Sequence, residues 1–472
     1  MINLFAHQKE SVKRLAASPI IFDTSDAGTG KTLPEVVDFA ARRRKKGKCL
    51  LVLATKSLLT SAWQAEFRKF APDMKVSVAY AENRGKAFAE PVDVYITNHD
   101  AAVWLAQQPA AFFTKFDSIV VDESTAFKHH TSQRSKALAK IIKYFKYRRL
   151  LTGTPNTNGV CDLWHQVYLL DDGKRLGKSF FAFRKAACES VRTTAAPVYV
   201  VDKDKNGIPR RGVDGKPLMK LITPVTWVDR PSIEMTIAAL IRDITIRNKF
   251  EDCVDIPANH MYARSFSLSK AHMKAYETMR DEKILQLKRS TITAVNAAVV
   301  AGKLLQITSG AVYNDDEDYS LIASERYEMI LDLVEERSHS IVFFNWSHQR
   351  NELIRLATKR GLTFAVYDGT TSSRDRTALV TDYQAGKYQV LFAHPQSAGH
   401  GLTLTRGSAT IWASPTYNLE HFLQGCKRIH RIGQTQRTET IMIIAEGTLE
   451  EMVWQALQDK NVKLVDLLEN LK

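Results

Sequence analysis

Apolar positions along the first 155 residues fall in short unbroken runs separated by stretches with helical spacing. PIIFD (19–23) leads into a glycine-rich turn, and LPEVVDFAARRRKK (33–46) follows as a predicted helix. CLLVLAT (49–55) reads as a buried strand, with a helix predicted over LLTSAWQAEFRKF (58–70). VDVYIT (92–97), FDSIVVDES (116–124) and YRRLLTGTP (147–155) continue the series. A strand covered on both faces needs no polar alternation, so such runs spaced by helices predict a parallel sheet.

A second series begins near residue 325. Its predicted strands are SIVFFNW (340–346), FAVYDG (364–369), QVLFAH (389–394), ATIWAS (409–414) and ETIMIIAEG (439–447), closed by a helix over 448–471. The middle differs in kind. Residues 196–229 hold two β-like runs around a loop rich in Gly, Lys and Arg, which predicts a hairpin. Residues 231–251 and 269–309 read as helical. The expected organisation is α/β: a first unit over 1–190, a hairpin insertion over 191–230, a helical joining region over 231–324 and a second unit over 325–472.

Charge adds a partner to this picture. Lys and Arg total 66 against 51 acidic residues, a formal net charge of +15. Such an excess favours polyanions through counterion release, so nucleic acid is the natural partner. The densest run, RRRKKGK (42–48), equally suits a helix end, where cations complement the dipole. Five scattered cysteines without a Cys-x-x-Cys pair predict buried free thiols rather than a disulfide framework or a zinc site. MINLFAHQKESVKRL has no apolar signal core, and no run approaches the ~18 apolar residues of a membrane span. A soluble, cytoplasmic location is expected.

Four motifs carry candidate chemistry. FDTSDAGTGKTLPEV (22–36) follows a strand and opens a helix, the context of a phosphate loop, although the longer glycine pattern would put Gly at Ser25. Asp26, Gly28, Thr29 and Gly30 would lie against phosphate oxygens, Lys31 would reach the β/γ-phosphates, and Thr32 would hold Mg²⁺. SIVVDEST (118–125) puts Asp122 at a strand end as a second Mg²⁺ ligand and Glu123 beside it to orient and deprotonate a water. LLTGTPNTN (150–158) places Thr152 and Thr154 in a turn after another buried strand. In HFLQGCKRIHRIGQ (421–434), Gln424, Arg428 and Arg431 share one helical face, and arginines aimed into a cleft stabilise a γ-phosphoryl group in transfer.

The order Gly-Thr-Gly-Lys-Thr, Asp-Glu, Thr-Gly-Thr-Pro, Gln-x₃-Arg-x₂-Arg resembles superfamily 2 helicases, and QGCKRIHRIGQ resembles the last motif of their SWI2/SNF2-like branch. LFAHQKESV resembles the branch's adenine-reading motif, with Gln8 in the glutamine position. LLVLATKSLLTSAWQAEF, VYITNHD, IVFFNW and SAGHGLTLTRGSATIWASPTYN resemble motifs Ia, Ib, IV and V. The resemblance spans roughly residues 1–455 and implies two RecA-like lobes with ATP and Mg²⁺ in the cleft. It adds Gly399 and Gly401 to the nucleotide site and implies that Lys56, Thr97, Thr152, Asn345, Trp346 and Ser397 face nucleic acid. The implied activity is ATP-dependent translocation on DNA, double-stranded or branched, with fork unwinding or branch migration as an added possibility of the hairpin. An RNA helicase and a nucleotide-gated DNA clamp are the alternatives. Three positions depart from the pattern: Thr125 where motif II usually has His, Thr55 for Pro in motif Ia, and Thr403 for Asn in motif V. The short chain points to a compact phage or bacterial type.

Overall fold

The strands of the first lobe are β1 (Ile20–Asp23), β2 (Cys49–Ala54), β3 (Val76–Ala79), β4 (Val94–Asn98), β5 (Phe116–Asp122) and β6 (Tyr147–Leu151). β7 (Cys188–Arg192), β8 (Val198–Val201), β9 (Met219–Ile222) and β10 (Val225–Asp229) form the inserted hairpin, followed by β11 (Thr245–Ile246) and β12 (Asn259–Phe266). β13 (Ala311–Tyr313) and β14 (Tyr319–Leu321) pair with each other. The second lobe adds β15 (Ser340–Phe343), β16 (Phe364–Tyr367), β17 (Val390–Ala393), β18 (Ala409–Trp412) and β19 (Thr438–Ala445). This is a computed structural model that describes residues 4–45, 47–192, 198–201, 209–211, 218–222, 225–289, 294–313, 318–398 and 402–471.

Two parallel sheets result. The first runs β11-β1-β6-β5-β2-β4-β3 and the second β12-β19-β18-β15-β17-β16. The unbroken apolar runs are explained by packing on both faces. Leu51 and Leu53 join one core while Leu50, Val52 and Ala54 join the other, and Ile341 and Val342 divide the same way in the second lobe. The two lobes are RecA-like in this arrangement of a parallel sheet between helical layers.

The joining region departs from expectation. Residues 231–324 contain the helices Ile233–Ile241, Lys270–Arg289 and Ala294–Thr308, but they also give each sheet an edge strand. β11 pairs with β1, and β12 pairs with β19 over its full length. Only residues 247–258 connect the two sheets. The hairpin begins at Cys188, with β7 paired to β10 and β8 to β9. Its loop, 202–217, lies largely outside the described residues.

The last helix, Leu449–Asn470, spans both lobes. At its start both carboxylate oxygens of Glu450 accept from one guanidinium nitrogen, Nη2 of Arg326, at 2.7 and 2.8 Å, with both side chains buried. Toward its end Leu464, Leu467 and Leu468 pack in the same core as Ile237 and Ile241 of the first-lobe helix. None of the five cysteines forms a disulfide, and Cys49, Cys188 and Cys426 are buried.

Charge is also buried behind the phosphate loop. Glu35 and Asp38 of the helix Thr32–Arg44 face Arg149 of β6, all three at most 2% exposed. Arg149 donates to the Leu15 carbonyl at 2.8 Å, which ties the first helix to the sheet. Burial pushes the Glu35 carboxyl up to about 8, against the pull of Arg149. A carboxyl that holds its proton more tightly when folded loses stability as pH rises from the ordinary 4.5 through about 8. Glu35→Gln mimics the protonated form, so its stability gain over the parent should grow across that window, by about 2–4 kcal/mol. Urea unfolding of both proteins at pH 5 and pH 8.5 measures it, and an equal difference at the two pH values would contradict it.

Candidate nucleotide site between the lobes

Parallel strands deliver their following loops to one edge of the sheet, and in each lobe that edge faces the other lobe. Between β1 and the helix Thr32–Arg44, the loop turns through Gly28 at φ 92° and Gly30 at φ 77°. A side chain at either position would also collide. A Cβ on Gly30 would sit 2.6 Å from Gln8 Nε2, and one on Gly28 would sit 3.1 Å from the Phe250 ring and 3.6 Å from Arg431 Cβ. Lys31 Nζ donates to the Ser25 and Asp26 carbonyls at 2.7 and 3.1 Å.

Ser25, where the longer pattern would have glycine, is fully buried and has work that glycine could not do. Its hydroxyl oxygen accepts from Asn248 N and Asn248 Nδ2, each at 3.0 Å. Asp26 is likewise committed to the joining segment. Its carboxylate accepts from Arg247 at 2.6 Å and from Phe250 N at 3.0 Å. Asp26, expected to bind nucleotide and placed in the lining of the cavity beside the loop, thus also anchors the segment between the lobes. Gln8 is occupied as well, donating to the Gly30 carbonyl at 3.2 Å and accepting from Phe5 N at 3.1 Å.

Asp122 and Glu123 close β5. Asp122 is buried, and it accepts from Trp63 Nε1 at 2.9 Å and from Glu123 N at 3.1 Å. Trp63 comes from a π-helical turn, Leu59–Gln64, where a regular helix was expected; such turns recur at functional sites. His99 bonds the Asp122 carbonyl at 2.7 Å. Glu123 sits in the left-handed region at φ 51°, a conformation that costs a non-glycine residue about 1–2 kcal/mol. Burial and then the adjacent Glu123 push the Asp122 carboxyl up to about 6. Burial also raises Glu123, with Glu420 adding to it and Lys31 and Arg428 opposing it.

Lobe two brings the opposite charge. Arg428 is buried and donates to the Gln424 and Leu402 carbonyls at 2.7 and 3.2 Å, and Arg431 reaches the same Leu402 carbonyl at 2.7 Å. Burial and then Arg431 lower Arg428 to about 9, with Glu123 opposing the shift. A cavity of about 830 Å³ opens beside these groups, lined by Asp26, Glu123, Thr154, Gln424 and Lys427 among others.

The chain matches the model of the SNF2-related domain over residues 7–309 and that of the helicase conserved C-terminal domain over 325–433. It belongs to the SNF2-related family. Among its relatives, putative protein p41 of Acyrthosiphon pisum secondary endosymbiont phage 1 is 28% identical over 447 residues, covering 90% of this chain and 88% of that one. The putative ATP-dependent helicase/translocase YwqA of Bacillus subtilis is 25% identical, covering 92% of this chain and 45% of that one. The uncharacterized ATP-dependent helicase MG018 of Mycoplasma genitalium is 25% identical, with 97% and 41% covered. This SNF2-related chain thus spans less than half the length of these bacterial relatives. A solved structure, the Sulfolobus solfataricus SWI2/SNF2 ATPase core in complex with dsDNA, matches with a TM-score of 0.43 and 21% identity, covering 99% of this chain and 93% of that one.

Lys31, Asp122, Glu123 and Arg428 lie near enough to act on one another's charge, Arg431 lies beside Gly28 and Arg428, and Gln424 lines the cavity with Glu123; these residues come from three separate motifs. Gly399 and Gly401 lie outside the described residues. Thr97 and Thr152, expected to face nucleic acid, are fully buried. Thr97 donates to the Ala79 carbonyl at 2.8 Å and the Thr152 hydroxyl accepts from Thr154 N at 3.1 Å, so both hydroxyls serve the sheet and its turn. Lys56 is exposed, and Trp346 and Ser397 are half-buried. Asn345 donates to Ser414 and Pro415. Sequence reasoning missed Trp63, Asn248, Arg247 and Glu420, whose roles depend on partners distant in the chain.

Ser25→Gly would restore the longer glycine pattern and yet should destabilise the protein. Two Asn248 donors lose their acceptor, which costs about 1–3 kcal/mol, and glycine adds unfolded-state entropy. Urea unfolding at fixed pH tests this; a variant as stable as the parent would contradict it.

Proposed function

We propose that this chain is an ATP-driven motor on DNA that couples opening and closing of its lobes to movement along a duplex. The observation that carries this reading is the meeting across one cleft of complementary half-sites. Lobe one offers a glycine loop, Lys31, Asp122 and Glu123, and lobe two offers Gln424, Arg428 and Arg431. A nucleoside triphosphate supplies what each half lacks: an anion for the two arginines and the lysine, and a bound cation for the carboxylates.

Mg²⁺ fits the donors present. Thr32 and Asp122 are hard oxygen ligands, and the raised Asp122 carboxyl marks negative charge that a cation would relieve. Bound there, the ion would neutralise phosphate charge. The chain's own residues do the rest. Lys31 exchanges its loop carbonyls for phosphate oxygens. Glu123, raised by burial, accepts a proton from water as the water oxygen bonds to the γ-phosphorus and the bond to ADP breaks. Arg428 and Arg431 stabilise the charge on the group in transfer.

DNA as the track is supported by the net charge of +15 and by the likeness of QGCKRIHRIGQ to the DNA-translocating branch. Lys56, Asn345, Trp346 and Ser397 are the proposed contacts. The hairpin built on β7–β10 is the proposed element for parting strands at a fork or driving branch migration.

ATPase assays with duplex, single-stranded DNA, fork and RNA at one salt concentration test the reading, because phosphate contacts make every affinity salt-dependent. Duplex DNA should stimulate hydrolysis most, and preferential stimulation by RNA would contradict the track. Lys31→Ala should remove stimulated hydrolysis, and Arg428→Ala should lower kcat by about 10³-fold or more. Glu123→Gln should abolish both turnover and movement; a clamp would keep its DNA function. Deleting residues 203–216 should impair fork unwinding while sparing the ATPase, and unchanged unwinding would remove the hairpin from the mechanism.

A further inference from the structure

Glu420 stands in the helix Leu419–Cys426, one turn before Gln424 and on the same face. Its Oε1 accepts from two groups: the Thr125 hydroxyl of lobe one at 2.8 Å and Gln424 Nε2 at 3.4 Å. Thr125 is buried, two residues after Glu123, and occupies the position where motif II usually carries His. The bond therefore spans the cleft at the motif that holds the proposed base.

One carboxylate oxygen accepting from a hydroxyl and an amide fixes an orientation. An ionised carboxylate only accepts, so the Gln424 amide must turn its NH₂ toward Glu420 and its oxygen away. That oxygen, Oε1, is buried and has no hydrogen-bond partner among the described residues. Gln424 and Glu123 both line the 830 Å³ cavity. A water between them would meet two acceptors, the Glu123 carboxylate and Gln424 Oε1. Both of its protons would then be held, leaving a lone pair for attack. A flipped amide would present N–H to that lone pair and compete with attack.

We propose that Glu420 is a positioning residue that sets the orientation of the Gln424 amide, and that Thr125 makes this setting depend on lobe closure. The Thr125–Glu420 bond joins opposite lobes, so it exists only when the cleft is shut. Hydrolysis is thereby confined to the closed state. This inference rests on the ATPase reading above and names a device within it.

DNA-stimulated ATPase kinetics of single and double variants test it. Glu420→Ala should lower kcat about tenfold, a part of the ~10²–10⁴-fold that a positioned proton acceptor supplies. KM for ATP should stay within about twofold, because no phosphate ligand is lost. Thr125→Val should show the same split, and Thr125→Ser, which keeps the hydroxyl, should recover most of the rate. Glu420→Ala combined with Thr125→Val should be no slower than Glu420→Ala alone, since both break one path. The Thr125→Val and Thr125→Ser pair decides the matter should Glu420→Ala fail to fold. A kcat for Glu420→Ala or Thr125→Val within about twofold of the parent would overturn the inference, provided Lys31→Ala is inactive. Parental hydrolysis by Lys31→Ala would instead overturn the ATPase reading itself.

Discussion

Unlike charges held in low-dielectric surroundings on opposite walls of one cleft are the constraint from which the rest of the structure follows. Asp122 and Glu123 stand on lobe one with carboxyls raised by burial, and Arg428 stands on lobe two with its guanidinium lowered by the same cause. Within lobe one Lys31 opposes the rise of both carboxyls, and across the cleft Glu123 opposes the lowering of Arg428. Their mutual attraction, visible as the pull of Glu123 on Arg428, offsets part of the desolvation cost only when the lobes are together. A ligand bearing both phosphate and a cation would offset more of it. On the proposed reading, such a ligand would favour the closed cleft.

Two connections join the lobes across that cleft. The joining segment, residues 247–258, runs between an edge strand of one sheet and an edge strand of the other. At its start it is bound to the phosphate loop through Arg247 to Asp26 and Asn248 to Ser25. Gly28 lies close to both: a Cβ there would stand 3.1 Å from the Phe250 ring of this segment and 3.6 Å from Arg431 Cβ of lobe two. The loop and the joining segment are therefore held together by hydrogen bonds and by packing. The final helix adds a second tie, anchored in lobe two by the Arg326–Glu450 pair and packed on lobe one through Leu464 and Leu467.

Much of this was legible from local pattern. Continuous apolar runs disclosed both parallel sheets, because a strand covered on two faces has a signature that no amphipathic element shares. Lys31, Asp122 and Glu123 stand out in the sequence because each lies in or beside a turn after a strand, whereas Arg428 and Arg431 stand out by their spacing from Gln424 and lie just beyond the helix Leu419–Cys426 rather than on its face. Other features were not. The tie of Asp26 to the joining segment spans 221 residues and has no local signal, and Thr97 and Thr152, expected to face nucleic acid, are buried. The region 231–324 read as helical because β11 has two residues and β12 is an edge strand with mostly exposed side chains, which leaves no alternating pattern to see.

The amino-acid order by itself determined the two sheets, the order of the motifs and the identity of the charged groups, since each depends on spacing within a few residues. Only the tertiary structure decided which of those groups meet. Whether Thr125 finds Glu420, Ser25 finds Asn248 or Trp63 finds Asp122 depends on pairs separated by 295, 223 and 59 residues. Hydrogen bonding and desolvation act over a few ångströms of space and are indifferent to distance along the chain. A serine in place of a glycine is thus a defect when the motif is read alone and an anchor once its partner is in place.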